Sequence, residues 1–101
     1  MAGLTLLQVV SELSELQGKG VLFLVRGPSG LPVFEGIDAI DRVFTSEGLT
    51  YIVFRDMEAS AILRPGDFVE AQWEGGWRRG QEDNRVLRIQ LGQTALGFSP
   101  L

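Results

Sequence analysis

The chain lacks the two residue types that carry much of enzyme chemistry, cysteine and histidine. Without cysteine it can form no disulfide and no zinc–thiolate site, so its stability must come from packing. Without histidine the commonest general base is missing, and the remaining candidates are carboxylates, serines, Tyr51 and the single lysine, Lys19. Because no spacing of carboxylates indicates a reactive pair, the composition favours a non-enzymatic protein without a cofactor.

Long apolar runs and targeting features are also missing. No stretch approaches the roughly 20 apolar residues that a membrane-spanning helix requires. The first sixteen residues have no basic region, and Glu12 and Glu15 interrupt their apolar residues. We therefore expect a soluble, cytoplasmic protein that makes no contact with a membrane.

Positive charge is scarce as well. Nine lysines and arginines face 13 aspartates and glutamates, for a net charge of −4. An acidic chain is repelled by a polyanion, which makes nucleic acid a disfavoured partner. The acidic excess lies in residues 21–60, whereas acids and arginines balance in residues 61–101, so a positive patch can form only in the second region.

The chain does contain enough hydrophobic residues to form one core. Its 101 residues have the length of one domain, and 45% of them are hydrophobic. Residues 5–17 have the pattern of an amphipathic helix, with Thr5 and Gln8 as a capping box and Gly18 as the stop. The apolar residues at helical spacing are Leu6, Val9, Val10, Leu13 and Leu16.

After residue 20 the pattern changes to short strands separated by turn-forming residues. The predicted strands are residues 21–26, 33–44, 49–55, 59–63, 68–74 and 85–91. Residues 45–48 read as a hairpin loop with Gly48 at positive φ, and Pro65 and Gly66 mark a tight turn. Residues 63–71 resemble the turn common in small β-barrels, a likeness produced by turn chemistry that indicates no family.

Two of these strands, around residues 21–25 and 51–54, are apolar on both alternating faces, which indicates cover on both sides of the sheet. A single short helix covers only part of one face. We therefore predict an α+β fold in which the N-terminal helix packs on a strongly curved, five- or six-stranded antiparallel meander resembling a small barrel. The leftover apolar surface predicts a homodimer or another protein partner.

The domain is expected to span residues 1–91, followed by a C-terminal tail at residues 92–101. This tail carries Leu96, Phe98 and Leu101 but no charge and no periodicity. We expect it to lie over the core or to fray, with docking onto a partner as the alternative.

The segment WEGGWRRG, residues 73–80, has the most distinctive chemistry. A two-residue turn at Gly75 and Gly76 would place Trp73 in the core with the Arg78 guanidinium on its ring, and would turn Trp77 to the polar face. There Trp77 could form a stacking and phosphate-binding surface. Alternatively it covers the hairpin edge or fills an interface, while Arg79 pairs with a carboxylate. The acidity of the chain favours the second interpretation.

The acidic run around Glu35, Asp38 and Asp41 is a weaker candidate, for a cation site. Carboxylates bind Mg²⁺ or Ca²⁺, but Asp38 and Asp41 would point to opposite faces of a strand. We therefore predict no metal site.

The leading hypothesis is a non-enzymatic protein-interaction or assembly module that self-associates. The alternative is a small β-barrel that binds nucleic acid through Trp77 and neighbouring arginines. The candidate partner-binding residues are Trp77, Arg79, Arg85, Arg88 and Phe98.

Overall fold

The computed structural model describes residues 3–58, 60–75 and 85–101. They form one helix, seven strands and a short 3-10 turn at Pro65–Asp67. The elements are α1 (Leu6–Glu15), β1 (Gly20–Arg26), β2 (Pro32–Ser46), β3 (Leu49–Phe54), β4 (Ser60–Leu63), β5 (Phe68–Gly75), β6 (Arg85–Leu91) and β7 (Thr94–Pro100). The α+β class with an N-terminal helix is confirmed.

Helix α1 begins as its sequence predicts. The Thr5 side chain accepts from the Gln8 backbone N–H, and the Gln8 side chain accepts from the Thr5 backbone N–H, which completes the capping box. Val9 and Leu13 are fully buried, while Leu7 on the opposite side is 83% exposed. The helix packs against β2 and β5. Among the described residues, no helix has the length and apolar character needed to cross a membrane.

The sheet has seven antiparallel strands in the order β4-β3-β2-β1-β7-β6-β5. The prediction of five or six strands in a single barrel-like meander is therefore wrong in two respects. Strands β1 to β4 form one meander and β5 to β7 a second, and the two join where β7 pairs with β1. The sheet is not closed, because β4 and β5 lie at its two edges.

The segment expected to be a tail lies inside the sheet. Residues Thr94–Pro100 form β7, which pairs with β1 on one side and β6 on the other. Its formation depends on these long-range partners, because Gly97 and Pro100 give the segment weak local strand preference. The last residue is also tied to the sheet, since the Leu101 N–H donates to the Gly20 carbonyl at 3.1 Å.

Strand β2 bends the sheet around its core. Its pairing with β3 shifts register between Ile40 and Arg42, so Asp41 occupies a bulge. The first half of β2 pairs with β1 and the second half with β3, and the bend brings these two parts of the sheet over one core. We call the side facing this core the inner face. The core residues are Val9, Leu13, Leu16, Val21, Phe23, Ile40, Ile52, Phe54, Ala61, Leu63, Ala71, Leu87, Ile89, Leu96 and Phe98.

The outer face of the sheet is covered unevenly. On β1 the outward Leu22 and Leu24 are buried, as the two-sided apolar pattern predicts. On β3 the inward Ile52 is buried, but the outward Tyr51 and Val53 are only half-buried. Within a single chain the outer face of β3 is therefore only partly covered, and an apolar part of it is left in contact with solvent.

Candidate functional site

The β5–β6 hairpin does not have the predicted two-residue turn. Gly75 pairs with Arg85, Trp73 lies opposite Leu87, and the connection runs through residues 76–84. The core explains this register, because it places Ala71 and Trp73 opposite Ile89 and Leu87 on the inner face. A register shift between Phe68 and Glu70 also leaves Val69 60% exposed, although simple alternation would place it inward.

Trp73 is a half-buried residue packed against the core, in agreement with its predicted structural role. The cation on its ring is different, however. The Arg85 guanidinium carbon lies 5.0 Å from the Trp73 ring centre, a distance typical of a cation–π contact. Trp77, Arg78 and Arg79 lie outside the described residues.

Arg88 lies on the outer face within a network of carboxylates. Its Nη2 donates to Glu70 Oε1 at 3.0 Å, and its Nε donates to Glu74 Oε2 at 3.2 Å. Partial burial disfavours the charged guanidinium, but the hydrogen bonds to Glu70 and Glu74 outweigh this and raise the pKa of Arg88. Its charge is therefore balanced by two acids of the same chain.

The described residues of the predicted phosphate-binding surface, Arg85 and Arg88, do not lie together. Arg85 lies toward the inner face beside Trp73, whereas Arg88 lies on the outer face beside Glu74. Residues three apart on a strand point to opposite faces, so the sequence itself contained this signal. A shallow cavity of about 260 Å³ does adjoin Arg88, lined by both Arg26 and Glu74, and is therefore mixed in charge.

Phe98, another candidate partner-binding residue, is not at the surface of this chain. Its side chain is completely buried, with its ring centre 5.0 Å from that of Phe23 and 6.5 Å from that of Phe54. Phe98 lies opposite the core residues Phe23 and Leu87, so it points to the inner face and packs in the core.

The acidic residues of β2 do not converge. Asp38 points inward and is buried, with its carboxylate accepting backbone N–H groups of Ala39, Asp56 and Met57 at 2.7–2.9 Å. The bond from Met57 is the main reason that the pKa of Asp38 is lowered, although burial opposes it. Asp41 is exposed in the bulge. Within the described part of the chain, no three metal-ligating residues form a cluster.

A partly exposed group of side chains lies on the outer face of β2, β3 and β4, and we call it the aromatic face. It consists of Arg42, Phe44, Tyr51, Val53 and Ile62. Phe44 lies directly opposite Tyr51, and Tyr51 opposite Ile62, so the three form a row across the strands. The rings of Phe44 and Tyr51 stack at 5.0 Å, with the Arg42 guanidinium carbon 5.1 Å from the Phe44 ring centre.

A second apolar feature lies beside the edge strand β4. A cavity of about 250 Å³ is lined by three consecutive β4 residues and by apolar residues of four other strands or strand ends. Its lining residues are Phe23, Val25, Phe34, Ser60, Ala61, Ile62, Leu91 and Leu96. Sequence reasoning missed this cavity because its wall comes from segments far apart in the chain. The only local signal is the uncharged run 60–63.

The chain matches no protein-family model, no curated protein and no solved structure.

Proposed function

We propose that this protein is a non-enzymatic interaction module that self-associates through its aromatic face. The observation that carries the proposal is the row formed by Phe44, Tyr51 and Ile62 on an open sheet surface. Phe44 and Ile62 are 38% and 37% exposed, and both lie on the outer face of regular strands. Clustered apolar side chains of this kind mark interaction sites more often than single ones do.

The arrangement of the aromatic face supports a specific contact. The stacked rings and the Arg42 contact hold these side chains in one arrangement before any partner arrives, which lowers the entropy that binding must remove. Aromatic residues and arginine are also the residue types enriched at the centres of protein interfaces. Helix α1 contributes Val9 and Leu13 to the core on the inner face, so it leaves this part of the outer face to a partner.

The non-enzymatic part of the proposal rests on residue chemistry. The chain has no histidine or cysteine, and its described carboxylates serve as structural or exposed groups. The nucleic-acid alternative gains no support, because Arg88 is paired with Glu70 and Glu74.

The test compares Phe44→Thr with the unmodified chain by sedimentation velocity over a range of micromolar concentrations. Threonine keeps the strand preference of the site but removes its aromatic surface. Losing a buried phenylalanine costs about 1.5–3 kcal/mol per copy, so the dissociation constant should rise by more than about tenfold. In a two-fold symmetric dimer the substitution removes this contact from both subunits at the interface.

Leu7→Gln is the matched control, because Leu7 is an even more exposed apolar residue that lies on α1, away from the aromatic face. It should leave the dissociation constant unchanged. If Leu7→Gln weakens self-association as much as Phe44→Thr does, the association is non-specific. If Phe44→Thr has no effect on self-association, the aromatic face is not the interface.

A further inference from the structure

The two edges of the sheet differ in how they are protected. On β5 the Ala71 carbonyl accepts from the Leu4 N–H at 2.7 Å, a bulge interrupts the strand, and Glu70 and Glu74 add charge. These are the devices that natural proteins use to block edge-to-edge pairing. Strand β4, with the sequence SAIL, carries no charge, no proline and no register shift against β3.

The open side of β4 also has no backbone partner among the described residues. The backbone hydrogen bonds found outside the regular strand pairings involve none of the residues Ser60–Leu63. Among the described strands β4 pairs only with β3, so the N–H and C=O groups on its other side have no described strand as a partner.

The apolar cavity lies along this same side. Alternate residues of a strand point to opposite faces, so a cavity touched by the consecutive residues Ser60, Ala61 and Ile62 must run along the strand edge. No residue of β3 lines it, which places it on the unpaired side of β4. Phe23, Phe34 and Leu96 form the opposite wall.

We propose that β4 binds an extended segment of a partner protein as an eighth, antiparallel strand, with one apolar side chain of that segment filling the cavity. Backbone hydrogen bonds to β4 supply affinity, and the cavity supplies specificity for alternate residues, as in other cases of strand addition. A cavity of about 150 Å³ is known to hold benzene, so 250 Å³ accommodates one aromatic ring.

Charges at the ends of β4 indicate the direction and chemistry of the segment. Glu58 precedes the strand and Arg64 follows it, and both are exposed. An antiparallel segment begins opposite Arg64 and ends opposite Glu58. It is therefore matched best by an acidic residue at its start, a bulky apolar residue opposite Ala61 and a basic residue at its end.

A second copy of β4 does not meet these requirements. Its inward side chains, Ala61 and Leu63, are already buried in the core of that copy, and neither is free to enter the cavity. The proposed occupant is therefore a segment of a different protein, and this site shares only Ile62 with the aromatic face proposed for self-association.

The probe is the synthetic peptide Glu-Val-Thr-Phe-Thr-Val-Lys, titrated into the full chain by calorimetry. We expect saturable binding and slower hydrogen exchange at the amides of Ser60–Leu63. Replacing the central phenylalanine of the peptide by glycine or lysine should weaken binding by about tenfold or more, because the cavity then stays empty or receives a charge. These comparisons change only the peptide, so they do not depend on the folding of a variant.

Two protein variants complete the test. Arg64→Glu should weaken binding by about threefold, and a peptide that begins with lysine should restore it, since exposed charge pairs contribute modestly. Phe44→Thr should leave peptide binding unchanged, because Phe44 lies outside the cavity.

Several outcomes would overturn the proposal. They are absence of binding, binding that ignores the central residue, and binding without protection of the β4 amides. Amides of β4 already protected in a dimer would show that a second copy holds the edge. Binding of benzene but not of the peptide would make the cavity a small-molecule site. If the peptide does not bind but the chain still self-associates, the strand-addition proposal is wrong and the proposed function is unaffected.

Discussion

Asp38 fixes the turn that leads from β3 to β4. Its two carboxylate oxygens accept backbone hydrogen bonds from Asp56 and Met57, next to β4, and from Ala39 in its own strand. Because these donors are backbone N–H groups, a negative charge at this position satisfies them, and the nearby charge of Arg55 also favours it. The edge strand β4 is therefore positioned in part by one buried acid.

Replacing Asp38 by asparagine should lower the urea midpoint at neutral pH, since the amide presents N–H groups to a site built for an acceptor. The folded-state pKa of Asp38 lies below its unfolded value of about 3.9. The stabilisation is therefore complete well above that value and is lost as pH falls through the folded-state pKa. Urea titrations between neutral and acid pH should show the two proteins converging on acidification. A constant difference would contradict this role.

Arg88 should contribute more to stability than an exposed arginine does. Its side chain is 17% exposed and bonded to Glu70 and Glu74, whereas Arg42 is 66% exposed and lies 3.9 Å from Asp41. Arg88→Met should cost about 1–2 kcal/mol, because it leaves two acids close together. Arg42→Met, the same chemical change, should cost less than about 1 kcal/mol. If chemical denaturation shows that both substitutions lower the free energy of unfolding equally, the proposed difference between the two arginines is wrong.

At the scale of elements, the β2–β3 hairpin contains one residue in an unfavourable conformation. Ser46 pairs with Leu49, so Glu47 and Gly48 form a two-residue loop, with φ of 52° and 79°. The positive φ of Gly48 is confirmed, and it suits glycine. Glu47 has the same type of backbone conformation, in which a glutamate is strained and asparagine is much better tolerated.

Glu47→Asn should therefore stabilise the protein by about 0.5–1 kcal/mol, measured by urea denaturation. Glu47→Gln is the control, because glutamine removes the charge without the preference of asparagine for positive φ. If both substitutions raise stability equally, the gain comes from charge and the account of the turn is incorrect.

The elements that sequence could predict are those with local signals. Thr5 and Gln8 mark the start of α1, and Gly48 marks the β2–β3 turn. The elements that it could not predict depend on distant partners. Gly75 and Gly76 indicate a tight turn by themselves, yet pairing of Trp73 with Leu87 requires a longer connection. Strand β7 forms because β1 and β6 flank it on both sides.

The same division applies to the candidate sites. Alternation separates Arg85 from Arg88 and could have ruled out their shared site from sequence. The aromatic face requires knowledge of strand pairing, because only the register places Phe44, Tyr51 and Ile62 in one row. The burial of Phe98 depends on the position of β7 in the sheet.

At the scale of the whole molecule, the two faces of the open sheet differ in how far their apolar side chains are covered. Its inner face is filled by α1 and the core, while the outer face of β2, β3 and β4 carries exposed aromatic groups. A protein with a net charge of −4 also repels copies of itself, so association requires enough apolar contact to exceed that repulsion. If the proposed dimer forms, added salt should strengthen it by screening the repulsion, which sedimentation at two salt concentrations would measure.

The most direct test of the central claim is sedimentation equilibrium of the unmodified chain across micromolar concentrations. We predict a weight-average mass that rises with concentration from the monomer toward twice that value, and a curve for Phe44→Thr that stays near the monomer. A monomeric mass for the unmodified chain throughout the range would contradict self-association through the aromatic face.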